Sequence, residues 1–373
     1  MMMMMKNVKV MSSRHNFIMI SYRARNFASS NAPASMTVFD RETKRKQRDR
    51  ANRDRGGESD DFDYLRDYVA TQLTDRLMDI TKEFPVAVNL GCDGMHVAKH
   101  LDTLGGVERL INVDTSEMAL RRGLRGNNGV DGREDFAMLG DEEFLGLQDE
   151  SVDLVLSSMS LHWVNDLPGT FAQIYRALKP DGVFLAAMLG GETLNELRSS
   201  FVAAEQERSG GVSPRVSPLI QISDAGTLLQ SAGFSLPCVD TETVHVGYAD
   251  AVSVWEHLQR TGDTNASLGR LTSKPSVDTL LAAASVYQSA FYVDDSGDGD
   301  GVGDDGVGDV EEKKEKGEEG YLPATFQIVY LIGWKIDKTQ AGPISKPLLR
   351  GSASLHLSEL SGDGGDDNDD DRK

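Results

Sequence analysis

Between Asp61 and Ile80 the apolar residues Phe62, Leu65, Val69, Leu73, Leu77 and Ile80 recur every three or four positions. That spacing lines one face of a helix and predicts a single buried stripe ahead of the first strand. Beyond Phe84 the pattern changes to short continuous apolar runs, at Phe84–Leu90, Arg109–Asp114, Phe136–Leu139, Val152–Ser158 and Val183–Leu189. Helical patterns lie between several of them, over Met95–Leu104, Ser116–Leu124 and Leu167–Leu178. Continuous apolar strands separated by helices predict a mostly parallel sheet covered on both faces. Ile222–Ala232 reads as a helix closed by Gly233, followed by strands over Phe234–Val246 and Phe326–Lys335. These last two strands pair antiparallel if the helical segments Val252–Arg260 and Val277–Tyr292 pack elsewhere. Asp40–Arg55, DRETKRKQRDRANRDR, mixes acids and bases and reads as a helix with a solvated charged face, the alternative being that Arg41–Arg55 lies over the cofactor mouth or contacts a partner.

The net charge of −20 comes largely from two segments. Val293–Gly320 sets twelve acids against three lysines, and Glu359–Lys373 seven acids against two basic residues. Neither has an apolar period, so 293–320 is expected to be a disordered insertion and 359–373 an acidic tail. Asp294, Ser296, Asp298, Gly299 and Asp305 match a calcium loop poorly, and no metal site is expected. The acidity also argues against a nucleic-acid partner. Cys92 and Cys238 are too few for a disulfide framework and suit a reducing compartment. No apolar run is long enough to span a membrane. The first acid in the chain is Asp40, and the basic, serine-containing segment before it reads as a mitochondrial transit peptide over 1–35.

The first strand runs into VNLGCDGMH, a glycine loop that opens a helix. Such a loop lets a cofactor approach the backbone and offers it free N–H groups. Asp114, twenty residues beyond Gly94, ends the second strand where a carboxylate holds a ribose diol. Asp141 and Glu142, in LGDEEF, follow the third strand where an acid accepts from an adenine amino group. Gly91, Cys92, Gly94, Asp114, Asp141 and Glu142 are therefore the expected cofactor-binding residues. LKPDG, Leu178–Gly182, predicts a turn into the next strand.

The set resembles the class I S-adenosylmethionine-dependent methyltransferase fold, Rossmann-like, with seven strands and helices on both faces. VFDRETKRKQRDRA, ESVDLVLSSMSLHWVNDLP, ALKPDGVFLAAMLGGETLNELR, GGVSPRVSPL and FQIVYLIGWK are similar to one branch of it, the mitochondrial arginine hydroxylases that assist assembly of respiratory complex I. The match puts a methyltransferase-like domain over 36–292 and 321–358. A more distant likeness is to the bacterial methyltransferases that esterify a carrier-bound malonyl group. The resemblance implies hydroxylation of an arginine on a core iron–sulfur subunit, in the matrix or at the matrix face of the inner membrane. It brings His162, Trp163 and Asp166 forward as catalytic candidates. A methyltransferase acting on a carboxyl or protein substrate, and a non-catalytic assembly chaperone, are the alternatives.

The loop departs from the family's Asp-Leu-Gly-Cys-Gly-x-Gly. Asn89 replaces the opening acid, and Asp93 and Met95 replace two glycines. Side chains at those places predict weakened S-adenosylmethionine binding. No oxidant for hydroxylation is legible: His100-Leu101-Asp102, the one His-x-Asp pair, reads as an exposed helix end.

Overall fold

The computed structural model describes residues 11–12, 18–21, 37–53, 60–101, 104–126, 132–270, 275–294 and 320–336. The described residues up to Lys335 form one compact unit. The acidic tail, nearly all of the acidic insertion, the stretch 337–358 and most of the expected transit peptide lie outside the described residues.

Seven strands make the body of the sheet: β3 (Val86–Leu90), β4 (Arg109–Asp114), β5 (Glu134–Leu139), β6 (Val152–Ser158), β7 (Leu178–Leu189), β8 (Ser235–Tyr248) and β9 (Leu322–Lys335). Their order is β5-β4-β3-β6-β7-β9-β8. The first five are parallel, and β9 runs antiparallel to both β7 and β8. This is the predicted class I arrangement, with its order reversing between β3 and β6. Two short N-terminal strands, β1 (Met11–Ser12) and β2 (Ile18–Ser21), extend the edge beside β5.

The predicted stripe forms α2 (Tyr64–Met78), which buries Leu65, Val69, Leu73 and Leu77 against one face of the sheet. At roughly 1.5–3 kcal/mol per buried aliphatic side chain, that stripe anchors the helix. The opposite face packs Phe171 and Ile174 of α5 (Leu167–Ala177) and Leu229 of α7 (Ile222–Ser231) on Phe184 and Leu331. The two late helices expected between β8 and β9 are present as α8 (Ala251–Thr261) and α9 (Val277–Phe291).

Three elements differ from the sequence reading. The helix after the glycine loop, α3, is only His96–His100. β7 starts at Leu178, so LKPDG is strand with a register shift at Val152/Leu154, and Asp181 takes a φ of 62°. A fifteen-residue helix, α6 (Asn195–Ser209), stands where no helix was expected, its apolar spacing being interrupted by polar residues.

Candidate functional site

The site gathers at the carboxyl ends of β3, β4, β5 and β6, the edge where an open α/β sheet binds ligands. Gly91 leaves β3 with φ 68°, and a Cβ there would lie 2.0 Å from Ser160 Oγ, so glycine is obligatory. Asp93 and Met95 also take positive φ, 43° and 61°. The turn thus holds two side chains in a conformation that favours glycine. Cys92 is buried, and burial raises its thiol pKa well above the ordinary value, which leaves it unreactive. Asn89 donates from Nδ2 to Asn112 Oδ1 at 2.9 Å, a neutral buried pair in place of the family's acid.

Asp114 is fully buried and accepts from the backbone N–H of Asp93 at 2.9 Å and of Ser116 at 2.7 Å. Glu142, also fully buried, accepts from Ser160 Oγ at 2.8 Å. Asp141 stands at the rim, its side chain 39% exposed. The three predicted acids are therefore brought to one edge.

What covers them is α1 (Arg41–Arg53), and its position corrects the solvated-face reading. Lys44, Arg48, Ala51 and Asn52 are its buried residues. Arg48 Nη1 lies 3.4 Å from Asp114 Oδ2 and 3.3 Å from Glu142 Oε1, and Nη2 donates to Ser160 Oγ at 2.8 Å. Arg41 donates to Asp141 at 2.7 Å and to Glu142. Asn52 donates to Asp93 Oδ1 at 3.0 Å, and Asp93 also pairs with Arg66 of α2. Lys44 reaches Asp263 at 2.9 Å and sits 3.4 Å over the ring of Trp163. Arg41, Lys44, Arg48 and Asn52 are three or four residues apart, so one helix face was written in the sequence. Its residues are charged, so no apolar period marks that face.

The electrostatics follow from this packing. Burial alone would raise the Glu142 pKa, but Arg41 and Arg48 outweigh it and bring the value down to about 2. For Asp114 burial dominates over Arg48, and its pKa is raised. At the turn after β6, His162 is buried and its pKa is pushed down to about 3, chiefly by burial, with Lys44, Arg48 and Arg66 adding to the effect. It is a neutral imidazole. Trp163 is buried against Phe39 and Lys44. Asp166 is not brought to these groups; it caps α5, accepting from the Gly169 N–H at 2.9 Å.

Two cavities differ sharply in size. The pocket at the glycine loop, between Gly91, Asp93, Arg66 and Met159, holds about 10 Å³. A neighbouring cavity of about 710 Å³ is lined by Phe62, Trp163, Phe201, Trp255, His257 and Asp263, among others. Among the described residues no group of three or more His, Cys, Asp or Glu side chains forms a metal-binding set.

Residues 88–186 match the family model described as a methyltransferase domain. The chain is 40% identical over 338 residues to "Arginine-hydroxylase NDUFAF5, mitochondrial" of Danio rerio, covering 91% of this chain and 94% of that one. To the protein of the same name from Homo sapiens it is 40% identical over 333 residues, covering 89% and 85%. A malonyl-(acyl-carrier protein) O-methyltransferase of Methylovorus sp. (strain MP688) is 29% identical over 309 residues, covering 81% and 91%. Identity of 40% sustained along most of both sequences means that this chain belongs to the family of mitochondrial arginine hydroxylases named NDUFAF5.

Proposed function

We propose that the protein hydroxylates an arginine of a core iron–sulfur subunit of respiratory complex I during assembly, in the mitochondrial matrix or at the matrix face of the inner membrane. The observation that carries this reading is the 40% identity to arginine hydroxylases over most of both chains. The large cavity supports it. A guanidinium plane stacks well on aromatic faces, and Phe62 and Trp255 supply such faces in a space of about 710 Å³. Of the four arginines that line the cavity, Arg66, Arg215 and Arg270 are paired with Asp263, Glu205 and Asp40, so these three repel a cationic guest less than bare charges would. No described helix is long and apolar enough to cross a membrane, so contact with the membrane is proposed as peripheral.

Trp163 lines the cavity wall and is assigned to fixing Lys44, which sits over its ring. His162 lies behind it, its ring centroid 5.1 Å from that of Trp163, and as a weakly basic imidazole it orients the wall of the cavity. Asp166 acts by fixing the start of α5, directly after the His162–Trp163 turn.

S-adenosylmethionine is the cofactor that a methyltransferase domain takes, and Asp114, Asp141 and Glu142 are the acids for its ribose and adenine. In this arrangement those carboxylates are paired with Arg41 and Arg48, and the loop pocket is about as large as one water needs. The residues as placed do not fit the cofactor, and no step of the proposed reaction passes through it. The closed pocket favours a second reading, an assembly chaperone without catalysis, and the likeness to a carrier-protein methyltransferase favours a third.

One incubation separates the three: the purified chain with the complex I subunit, S-adenosylmethionine, dioxygen and a two-electron reductant, so that one oxygen atom can enter the peptide and the other leave as water, followed by the mass of the target peptide. A gain of one oxygen is expected. A methyl gain points to the methyltransferase, and a bound but unmodified subunit to the chaperone.

A further inference from the structure

We propose that Asp263 is the carboxylate that receives the target guanidinium in the large cavity, and that Lys44 gives up its proton as the guanidinium arrives. The proposal rests on the reading of that cavity as the arginine site.

The cavity wall singles out the acid. Asp263 is the only Asp or Glu among the described residues that line it, beside Arg50, Arg66, Arg215 and Arg270. It follows the end of α8, and its side chain is 13% exposed, so a guest in the cavity can reach it. Lys44 Nζ donates to its Oδ1 at 2.9 Å, and Arg66 donates to its Oδ2. A carboxylate has about four lone-pair sites, so both oxygens can still accept from an incoming guanidinium.

Charge decides what else has to change. Lys44 and Arg66 set two positive charges against the two negative charges of Asp263 and Asp93, with which Arg66 also pairs. A guanidinium added to this neutral group leaves one buried positive charge in excess, which a protein interior strongly disfavours. Burial alone would raise the Asp263 pKa, but Arg66 and Lys44 outweigh it and hold the group well below its ordinary value, so it remains a carboxylate. Of the basic groups around Lys44, Arg48 and Arg66 do not lose protons, and His162 is already neutral. Lys44 is the cation that can adjust. Burial pushes its pKa down to about 7 against the pull of Asp263, with Arg48 and Arg66 adding to the fall.

The contacts of Lys44 tolerate the change. Its Nζ donates to Gly262 O at 2.7 Å and to Asp263 Oδ1 at 2.9 Å, and lies 3.4 Å over the Trp163 ring. A neutral amine keeps two N–H donors, one for each oxygen, and loses only the cation–π attraction to Trp163. One N–H bond breaks, its electron pair stays on nitrogen, and the proton passes to the buffer. Protonated Lys44 opposes the guest, so arginine binding tightens as pH rises through about 7 and levels off above it.

The test is calorimetric titration of the full chain with N-acetyl-arginine methylamide and with its uncharged citrulline analogue, each in phosphate and in Tris buffer. For the arginine compound the buffer dependence is expected to show release of about half a proton per site at about pH 7, and binding about tenfold tighter near pH 8 than near pH 6. The citrulline analogue is expected to show neither. Carbon NMR of the chain labelled at lysine Cε identifies the source: one lysine signal should move from the ammonium to the amine position on saturation with the arginine compound. Saturable arginine binding without proton release, equal release by the citrulline analogue, or release with every lysine signal unmoved overturns this proposal alone. An arginine compound that binds at none of these pH values overturns the cavity reading and the proposal with it.

Discussion

Asp93 is the residue at which the chain departs furthest from its family's loop, and its surroundings explain why the departure is stable. A positive φ costs a non-glycine residue about 1 kcal/mol. Breaking a buried ion pair costs about 3 kcal/mol, and Asp93 pairs with Arg66 inside the protein. The second term wins, although Arg66 keeps Asp263 as a partner. Asp93→Gly, which restores the family residue, is therefore expected to lower stability by about 2 kcal/mol and the unfolding midpoint by several degrees in a thermal scan; a higher midpoint would contradict the pairing argument. Glu142 makes a prediction of a different kind. Its folded pKa of about 2 lies below the ordinary 4.5, so its stabilisation is complete above pH 4.5 and is lost as pH falls through about 2. The shift corresponds to about 3 kcal/mol. Asp114, with a raised pKa, works in the opposite sense, since its protonation on acidification favours the fold. Urea midpoints measured against pH should fall less steeply between 4.5 and 2 in Glu142→Gln than in the unaltered protein, and parallel curves would remove Glu142 as the cause.

At the scale of the element, α1 shows how a charged segment becomes part of a core. Asp40 caps it, accepting from the Thr43 N–H at 2.9 Å and from Thr43 Oγ1 at 2.6 Å, and also holds Arg270 at 3.0 Å. Loss of such a cap costs about 1 kcal/mol. In Asp40→Ala, hydrogen exchange is expected to quicken along α1 while the amides of β3 and β6 keep their protection. A uniform increase would mean that α1 and the sheet open together, against a separate role for the cap. The apolar helices were legible beforehand because α2 and α5 write their buried faces in leucine, valine and phenylalanine. α1 writes its buried face in arginine and lysine, which ordinarily mark solvent. α6 escaped for a related reason: Ser200 and Glu205 are buried beside Leu197 and Phe201, and they break the apolar period that identifies a helix.

At the scale of the molecule, the described residues that flank the acidic insertion meet in a β-bridge. Val293 and Tyr321 exchange backbone hydrogen bonds, each 3.0 Å, so the chain ends that flank 295–319 already meet. Replacing 295–319 by a short glycine-serine link shortens a loop without moving its ends, and loop-closure entropy favours the change by about 1–2 kcal/mol. The thermal midpoint is expected to stay level or rise by a few degrees, and a fall would show that the insertion contributes packing. The long antiparallel register of β8 and β9 was readable as two strands, though not as the fourteen-residue ribbon they form.

The sequence by itself determined the α/β class, the succession of strands β3 to β9 with most of the helices between them, and the acids at the end of β4 and after β5, because strand period, helix period and loop position are local properties. Its motifs also reached the family. What only the tertiary structure decided is what those acids touch. Arg48 lies 66 residues before Asp114 and 94 before Glu142, and Arg41 lies 100 before Asp141. A charged side chain is buried only where an opposite charge is buried across from it. Periodicity reports that a helix has a face, but the partner that makes burial of an arginine possible is fixed only when distant strands bring their ends together.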